Sequence, residues 1–373
     1  MSAKLLFVGD FCTKTPENIK MSSELVELIR NNDIACINFE MTLAKGNLQS
    51  ANGHKLEQSH ESPKWIKENG FNLISLANNH MNDYGVNGIK LTLDAFNDTN
   101  VVGAGTWDKA YQVKFIQVKG LKIGIFSATS SDFASLKDVW EDKDKTGCAW
   151  INHYKVNTII SSAKKECDYL FVLSHGGVEF MDVPLPEWRD RYRELIDIGV
   201  DAVIGSHPHV PQGVENYKGK PIFYSLGNFF FDKENSVTPK FWDNGLVALI
   251  EIVDGKILYK YVPILKKGNE LMIDDSTMIN NHLSDLNEML KDDKEYIKVV
   301  NREVLRLSEK YTDWLLFGIG AFRINLSLKN ILRIIKNIVF NGRNEKVFLH
   351  QIREESTRWL LMRAYKIKTK TDL

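Results

Sequence analysis

The sequence has few of the residues that mark secreted, fibrous or disordered proteins. Among its 373 residues there are 4 cysteines and 9 prolines, and no two cysteines have the Cys-x-x-Cys spacing. This composition excludes a disulfide scaffold, a collagen and a disordered chain. The opening residues, MSAKLLFVGD, run from a short apolar stretch directly into Gly-Asp, unlike a secretory signal peptide. We therefore expect a reduced protein in the cytoplasm.

An excess of charge of one sign and long apolar runs are also missing. The 48 Lys and Arg residues balance the 48 Asp and Glu residues. The chain has no net positive charge that would attract nucleic acid, so we expect no nucleic-acid partner. No apolar run reaches the about 18 residues that a membrane-spanning helix needs. The neutral total conceals a basic tail, because residues 322–373 hold 12 Lys and Arg against 4 Asp and Glu.

The sequence does contain the alternation that is typical of α/β proteins. Between Lys4 and about Ile264, short β-branched runs alternate with amphipathic stretches. Strands are predicted over 4–8, 34–38, 73–77, 113–118, 121–127, 169–174, 202–204 and 221–225. Helices are predicted over 22–32, 63–69, 85–97, 154–166 and 186–198. The Asp254-Gly255 pair predicts a tight hairpin between strands over 246–253 and 256–264.

The pattern changes after Gly268, where strand signals stop and residues 276–366 show apolar residues at helical spacing. We therefore expect one domain over residues 1–268 and a helical region over 269–373. Basic helices are predicted over 328–340 and 347–363. They either pack on the first domain or contact an anionic membrane surface or a partner enzyme at the membrane periphery.

Polar side chains follow five predicted strands, at the carboxyl ends where open α/β sheets place ligand sites. They are carboxylates, amides and imidazoles: Asp10, Glu40, Asn78, Asn79, His80, His175, His207 and His209. Two carboxylates combined with several imidazoles suit Mn, Fe or Zn better than Ca or an iron–sulfur cluster. His207 and His209, one residue apart in an extended segment, would point the same way toward a common metal. Each residue alone has an ordinary structural interpretation, and it is the set that indicates a site.

Six motifs carry a resemblance to a known family. In chain order they are Gly9-Asp10, Asn38-Phe39-Glu40, Leu76-Ala77-Asn78-Asn79-His80 with Asp83-Tyr84-Gly85, Ser174-His175-Gly176-Gly177 with Glu179, Gly205-Ser206-His207-Pro208-His209, and Tyr224-Ser225-Leu226-Gly227-Asn228-Phe229. This order resembles the CapA family, also called the PgsA or poly-γ-glutamate synthesis family, in the calcineurin-like metallophosphoesterase superfamily. The resemblance covers about residues 4–265. It implies an α/β (α+β) fold, a β-sandwich flanked by helices, with a dinuclear metal centre at one edge.

The resemblance also implies a role for each residue of the site. Asp10 and His209 would hold one divalent metal ion, Glu40 would bridge, and Asn79, His175 and His207 would hold the second ion. His80 would be the catalytic proton donor, and a metal-bound hydroxide would be the nucleophile. Asp83 and Glu179 would hydrogen-bond to the histidines. Asn78 and Asn228 would contact the substrate, although a structural turn asparagine is an equal interpretation of Asn228.

One residue departs from the superfamily pattern. A histidine is expected two residues after the first aspartate, and Cys12 stands there instead. A buried structural cysteine is favoured over a thiolate ligand, and a centre with a single metal ion stays an alternative. Arg189, Arg191 and Arg193 lie on one predicted helix, where solvent-exposed positions are the default interpretation. The polar loop over 45–61 is either a lid over the metal edge or ordinary surface.

These observations favour a metal-dependent hydrolase with phosphoesterase-type chemistry, acting on an anionic intermediate of capsule or exopolysaccharide biosynthesis. One alternative is an amide or γ-glutamyl hydrolase or transferase linked to poly-γ-glutamate or to amino-acid decoration of a capsule, because metal ions polarise an amide carbonyl as well as a phosphoryl oxygen. Another alternative is a non-catalytic capsule-assembly factor. Cys12 favours this last interpretation, and the presence of the other expected ligands disfavours it.

Overall fold

The computed structural model describes residues 2–44, 58–132, 134–137, 145–232, 238–317 and 352–370. The chain separates into two compact units, Met1–Asp292 and Asp293–Leu373. This division lies beyond the expected boundary at residue 268, because a strand and a helix that follow residue 268 pack on the first unit. In that helix Ile279 and Leu283 are fully buried in the first unit's core. Of the expected lid, residues 45–57 lie outside the described residues.

The secondary structure confirms the predicted alternation of strands and helices. The strands are β1 (Ala3–Cys12), β2 (Lys20–Met21), β3 (Ile34–Phe39), β4 (Leu73–Ser75), β5 (Asn100–Val102), β6 (Ala104–Thr106), β7 (Lys114–Val118), β8 (Leu121–Thr129), β9 (Ser135–Leu136), β10 (Thr146–Ala149), β11 (Tyr169–His175), β12 (Ala202–Ser206), β13 (Val214–Tyr217), β14 (Lys220–Phe223), β15 (Asn228–Phe231), β16 (Asn244–Val253), β17 (Lys256–Lys267) and β18 (Glu270–Ile273). The helices are α1 (Ser23–Arg30), α2 (Ser62–Glu68), α3 (Gly85–Ala95), α4 (Trp107–Ala110), α5 (Lys155–Lys164), α6 (Pro186–Asp197), α7 (Thr277–Met289), α8 (Asp293–Phe317) and α9 (Glu355–Thr369), with a short 3₁₀ turn over Pro16–Asn18.

Two mixed sheets face each other across the main core. The β1 sheet has the order β2-β18-β17-β16-β1-β3-β4-β5, with β15 also paired to β1, and the β11 sheet has the order β13-β14-β12-β11-β8-β7. Side chains alternate along β1 because successive strand residues point to opposite faces. Leu5 and Phe7 pack between the sheets with Phe171, whereas Leu6 and Val8 pack on the opposite side of the β1 sheet. The expected β-sandwich is therefore confirmed.

Helices cover the outer faces, and local sequence signals fix where they begin. The Ser22 hydroxyl accepts a hydrogen bond from the Leu25 amide at 3.3 Å, which caps α1. Leu25 is buried against the outer face of the β1 sheet. The helix predicted over 63–69 begins one residue earlier, at Ser62, whose hydroxyl donates to Gln58 at 2.9 Å. On the other side of the sandwich, α5 and α6 lie against the β11 sheet.

Several short strands were not predicted. The expectation that strands stop after Gly268 is wrong, because β18 pairs antiparallel with β17. A small third sheet, β6-β10-β9, lies outside the two large ones. It is next to the turn that carries Asn78, since the Cys148 thiol is 3.8 Å from the Asn78 carbonyl oxygen. The Asp254-Gly255 hairpin turn is confirmed, with positive φ angles of 49° and 77° at its two residues.

In the second unit, the described helices α8 and α9 contact each other. The Tyr365 hydroxyl donates to the Thr312 hydroxyl at 3.1 Å, and the Lys368 ammonium donates to the Ser308 hydroxyl at 3.1 Å. The predicted helix over 328–340 lies outside the described residues, and the one predicted over 347–363 overlaps α9. Within the described ranges, no helix is both long and apolar enough to cross a membrane. The cytoplasmic location and the binding surface of the basic tail stay predictions.

Candidate metal centre

The two sheets bring different kinds of side chain to the same edge of the sandwich. The β1 sheet supplies the carboxylates and an amide: Asp10 on β1, Glu40 directly after β3, and Asn79 after β4. The β11 sheet supplies imidazoles: His175 at the end of β11, and His207 and His209 after β12. The carboxyl ends of parallel strands meet here, as the strand order predicts.

A close approach of two backbone segments directs Asp10 to this edge. The Asp10 amide donates to the Gly227 carbonyl at 3.0 Å, and the register of β1 against β3 shifts between Val8 and Asp10. A Cβ atom on Gly9 would lie 1.8 Å from the Gly227 oxygen, so this position has no room for a side chain. The glycine of the Gly9-Asp10 motif therefore has a steric role.

Asp10, Glu40 and His209 form one tight group of donor atoms. All three residues are buried, and one donor atom of each lies within 4.8 Å of the others. Oδ2 of Asp10 is 3.4 Å from Nδ1 of His209, and Oε1 of Glu40 is 3.7 Å from Nε2 of His209. Bonds of about 2.0–2.2 Å to a single cation place neighbouring donor atoms about 3–3.6 Å apart. The distances to Asp10 and Glu40 are measured from opposite nitrogens of the His209 ring, so the group is looser than a ligand set closed around one cation.

His175 is the centre of a second group. Its Nε2 atom is 3.1 Å from Nδ1 of His207 and 2.9 Å from Oδ1 of Asn79. The same atom is 3.9 Å from Oε1 of Glu40. Oε1 of Glu40 therefore faces both groups of donor atoms.

The segment that carries His207 and His209 is a strained turn. The two histidines have φ angles of +99° and +59°, so the extended conformation expected for them is wrong. Phe180, also at a positive φ of 66°, donates its amide to the Pro208 carbonyl at 2.9 Å and holds the turn in place. Both imidazoles reach the site because the turn bends over it. Such backbone strain in residues other than glycine is concentrated at functional sites in proteins.

Glu40 provides the test of whether these residues fit a cation. Neither oxygen of its carboxylate has a hydrogen-bond partner among the described residues, and the side chain is fully buried. Burial raises the pKa of Glu40 well above its usual range, and the neighbouring charge of Asp10 raises it further. Burial also lowers the pKa of His207 to about 4 and lowers that of His175, which favours neutral imidazoles. Unsatisfied carboxylate oxygens beside neutral imidazoles fit a divalent cation.

His80 lies next to this centre with its ring held by a carboxylate. Nδ1 of His80 is 2.8 Å from Oδ2 of Asp83, and Nε2 is 4.0 Å from Oε1 of Glu40. Burial on its own would lower the pKa of His80, but Asp83, Glu179 and other carboxylates outweigh it and the pKa is raised. The half-buried Glu179 therefore acts on His80 through its charge. The raised pKa favours the protonated form of the His80 imidazole.

The two asparagines expected to contact substrate are both engaged in holding other residues. Asn78 is buried and its amide donates to the Phe39 carbonyl at 2.9 Å, while its oxygen accepts from the His80 amide at 3.1 Å. Oδ1 of Asn228 is 2.9 Å from Nδ1 of His209. If that ring nitrogen carries the proton, Nε2 of His209 is left with a lone pair.

Asn38 is a residue of the site to which the sequence assigned no role. Its amide donates to Oδ1 of Asp10 at 2.6 Å and lies 3.1 Å from Nδ1 of His175. It therefore joins the carboxylate side of the site to the imidazole side. Its position two residues before Glu40, at the end of β3, was the available signal.

The surroundings of Cys12 and of the arginines on α6 indicate structural roles for these residues. Burial raises the pKa of the Cys12 thiol well above its usual range, and Glu40 and Asp232 raise it further, which favours a structural thiol over a thiolate ligand. The expectation that the arginines are solvent-exposed is wrong for two of them, because Arg189 and Arg191 are 4% and 9% exposed. Arg189 pairs with the Glu215 carboxylate at 3.4 Å.

Comparison with known proteins identifies the family. A family profile described as "Bacterial capsule synthesis protein PGA_cap" matches residues 4–233, a range that contains every residue of the candidate metal centre. The chain belongs to this family. The resemblance to the CapA family found in the sequence motifs is thereby confirmed.

Curated relatives of this capsule synthesis family member include two Bacillus proteins. The "PGA biosynthesis protein CapA" of Bacillus subtilis is 36% identical over 237 residues, which cover 61% of this chain and 62% of that protein. The "Capsule biosynthesis protein CapA" of Bacillus anthracis is 30% identical over 302 residues, which cover 76% of this chain and 72% of that protein. A "Probable polyglutamine synthesis accessory protein" of Mycobacterium tuberculosis is 25% identical over 173 residues, 43% of this chain and 46% of that protein.

Solved structures show more distant likenesses to this family member. A putative 5′-nucleotidase from Staphylococcus aureus in complex with alpha-ketoglutarate has a TM-score of 0.44 and 17% identity, covering 76% of this chain and 58% of that chain. A hypothetical protein from Thermus thermophilus has a TM-score of 0.44 and 14% identity, covering 71% of this chain and all of the other. Likeness at this level carries no argument about the site.

Proposed function

We propose that this chain is a metal-dependent hydrolase with phosphoesterase-type chemistry that acts on an anionic intermediate of capsule or exopolysaccharide biosynthesis. The observation that carries the proposal is the convergence of buried Asp10, Glu40 and His209, with both Glu40 oxygens unsatisfied among the described residues. Leaving such a carboxylate unpaired costs free energy, and a bound cation removes that cost.

The proposal assigns the two groups of donor atoms to divalent cations, Mn, Fe or Zn. Asp10 and His209 would hold one cation, Asn79, His175 and His207 the other, and Glu40 would face both. When bound, the cations supply positive charge that lowers the pKa of water and polarises the bond to be cleaved. Asn38 and Asn228 orient Asp10, His175 and His209.

His80 is proposed as the proton donor to the leaving atom. Asp83 accepts from Nδ1 and fixes the ring, so the opposite nitrogen, Nε2, faces Glu40 and the site. A positioned acid contributes about 10²–10⁴-fold to a rate. Asn78 accepts the His80 amide proton and positions this residue.

Two other functions are supported by the names of the relatives. The name "polyglutamine synthesis accessory protein" concerns a polyamide, which favours amide or γ-glutamyl hydrolysis or transfer at the same centre. The word "accessory" favours an assembly factor without turnover. Both alternatives are distinguished from phosphoester hydrolysis by the substrates that the protein turns over.

The test begins with bound metal. Wild type, His209→Ala and the control His153→Ala are purified from cells supplied with Mn, Fe and Zn, and metals per chain are measured by inductively coupled plasma mass spectrometry. His153 matches His209 in burial, at 3% against 5% exposure. We expect about two cations in wild type and the control, and a loss in His209→Ala. No bound metal under any supply would overturn the proposal.

Turnover is then measured with a phosphodiester whose leaving phenol profits from a proton donor, diphenyl phosphate, and with an amide, γ-glutamyl p-nitroanilide. We expect hydrolysis of the ester, and we expect His80→Ala to lower kcat by about 10²-fold or more with its metal content retained. Cleavage of the amide alone would establish the second candidate. Metal binding without turnover of either compound, together with normal capsule formation by the His80→Ala variant in cells, would establish the assembly factor.

A further inference from the structure

Asp132 is a buried carboxylate that has no role in the proposed reaction. Its side chain is 2% exposed. Oδ1 accepts the Ala134 amide proton at 2.6 Å, but Oδ2 has no hydrogen-bond partner among the described residues. A buried carboxylate oxygen without a partner is unusual and costs free energy in a folded protein. It requires an explanation.

The loop that carries Asp132 is part of the proposed active edge. It follows β8, and the Ser130 amide donates to the His175 carbonyl at 2.9 Å. On its other side, the Ala134 carbonyl accepts from the Cys148 amide at 2.7 Å. The Cys148 thiol in turn contacts the Asn78 carbonyl, which begins the turn that leads to His80. Asp132 is thus held between the strand end of His175 and the His80 turn.

The charges near Asp132 are of both signs. Lys137 and His80 favour the ionised form of Asp132, and Asp83 opposes it. None of them donates a hydrogen bond to Oδ2 among the described residues. A group that binds here has to neutralise a carboxylate as well as donate hydrogen bonds, and an ammonium group does both.

We infer that Oδ2 of Asp132 is a subsite that binds an ammonium group of the substrate next to the group that the metal centre binds. This inference rests on the proposed function. It specifies a substrate that carries negative charge at the reacting group and an ammonium a few bonds away, in place of a purely anionic substrate.

The experiment uses two isosteric phosphonates that cannot be hydrolysed: 2-aminoethylphosphonate and propylphosphonate, which differ in an ammonium against a methyl group. Binding to the Mn²⁺-loaded wild type is measured by isothermal titration calorimetry. Since a hydrogen bond to a charged group is worth about 1.5–3 kcal/mol, we expect the amino compound to bind about tenfold more tightly or better.

Asp132→Asn keeps an oxygen for the Ala134 amide and removes the charge, so we expect it to bind both compounds equally. Asp274→Asn is the matched control. Asp274 is also buried and also accepts an amide two residues ahead, that of Ser276 at 3.0 Å, but its second oxygen accepts from Asn244 at 2.7 Å. This control should keep the wild-type preference.

The possible outcomes separate the inference from the proposed function. Equal binding of the two phosphonates by wild type overturns the inference and leaves the phosphoesterase proposal standing. A preference that persists in Asp132→Asn also overturns the inference alone. Binding of neither phosphonate overturns both. Because wild type alone can refute the inference, the test does not depend on how well the variants fold.

Discussion

Replacing Glu40 by Gln removes the charge of a carboxylate whose Oε1 atom faces both groups of donor atoms. The substitution keeps the size of the side chain. In the metal-free protein we expect no loss of stability, because the raised pKa of Glu40 favours its neutral form and its oxygens have no hydrogen-bond partner among the described residues to lose. In the presence of Mn²⁺ we expect the wild type to be more stable than the Glu40→Gln variant.

The magnitude follows from ligand linkage. A cation at about 100 times its dissociation constant stabilises the folded state by about 2.7 kcal/mol. For a domain of this size, each kcal/mol raises Tm by about 2 °C, so wild type should gain about 5 °C on addition of Mn²⁺. Glu40→Gln should gain little, because its neutral amide neither neutralises nor bridges cations.

The assay is thermal unfolding followed by tryptophan fluorescence, with EDTA and with Mn²⁺. Glu251→Gln is the control, since Glu251 is half-buried on β16, in the same sheet, where it is paired in register with Lys4 of β1. The control should gain as much as wild type. An equal rise in Tm for Glu40→Gln, or no rise for wild type, would refute the assignment of Glu40 to a cation.

Three further results are expected. Gly9→Ala should destabilise the protein by about 3 kcal/mol or more in urea unfolding, because its Cβ would lie 1.8 Å from the Gly227 oxygen; a loss below about 1 kcal/mol would contradict this close approach. Cys12→Ala should keep the metal content of wild type, because the raised pKa of this thiol disfavours a thiolate; loss of a cation would make Cys12 a ligand. Burial raises the pKa of Asp132 to about 6, so between about pH 4 and 6 the folded state holds a proton that the unfolded state has released. The stability that this proton confers is lost as the pH rises through this window. Asp132→Asn in EDTA should therefore gain stability relative to wild type as pH rises through this window, and a constant difference in urea unfolding would disprove the shift.

The sequence predicted the central strands and the site because both depend on local patterns. β1, β3 and β11 are buried runs of apolar residues, and the polar residues directly after such runs must lie at one edge of the sheets. Expected ligands from five separate strand ends consequently lie in two contacting groups. The order of the motifs indicated the family, which the local patterns alone do not indicate.

What the sequence did not predict depends on contacts between distant segments. β18 and the strands of the small third sheet are two to four residues long, too short for a period of two to be recognised. Arg189 looks like a surface residue by type, yet it is buried, because its guanidinium pairs with Glu215 and donates to the Leu290 carbonyl. Asp132 lies in no motif, and its interest comes from an oxygen that the fold leaves without a partner among the described residues.

The division of donor types between the two sheets has a consequence for folding. The β1 sheet supplies carboxylates without the imidazoles of His175, His207 and His209, and the β11 sheet supplies those imidazoles without the carboxylates of Asp10 and Glu40. Neither sheet holds both the carboxylates and the imidazoles until the two sheets have docked. A cation bound by both halves would therefore act after docking, as a cross-link that slows separation of the sheets and leaves the rate of their assembly unchanged. Hydrolysis would then require both sheets to be docked. A chain in which the sheets had separated would release its metal before its strands unfolded.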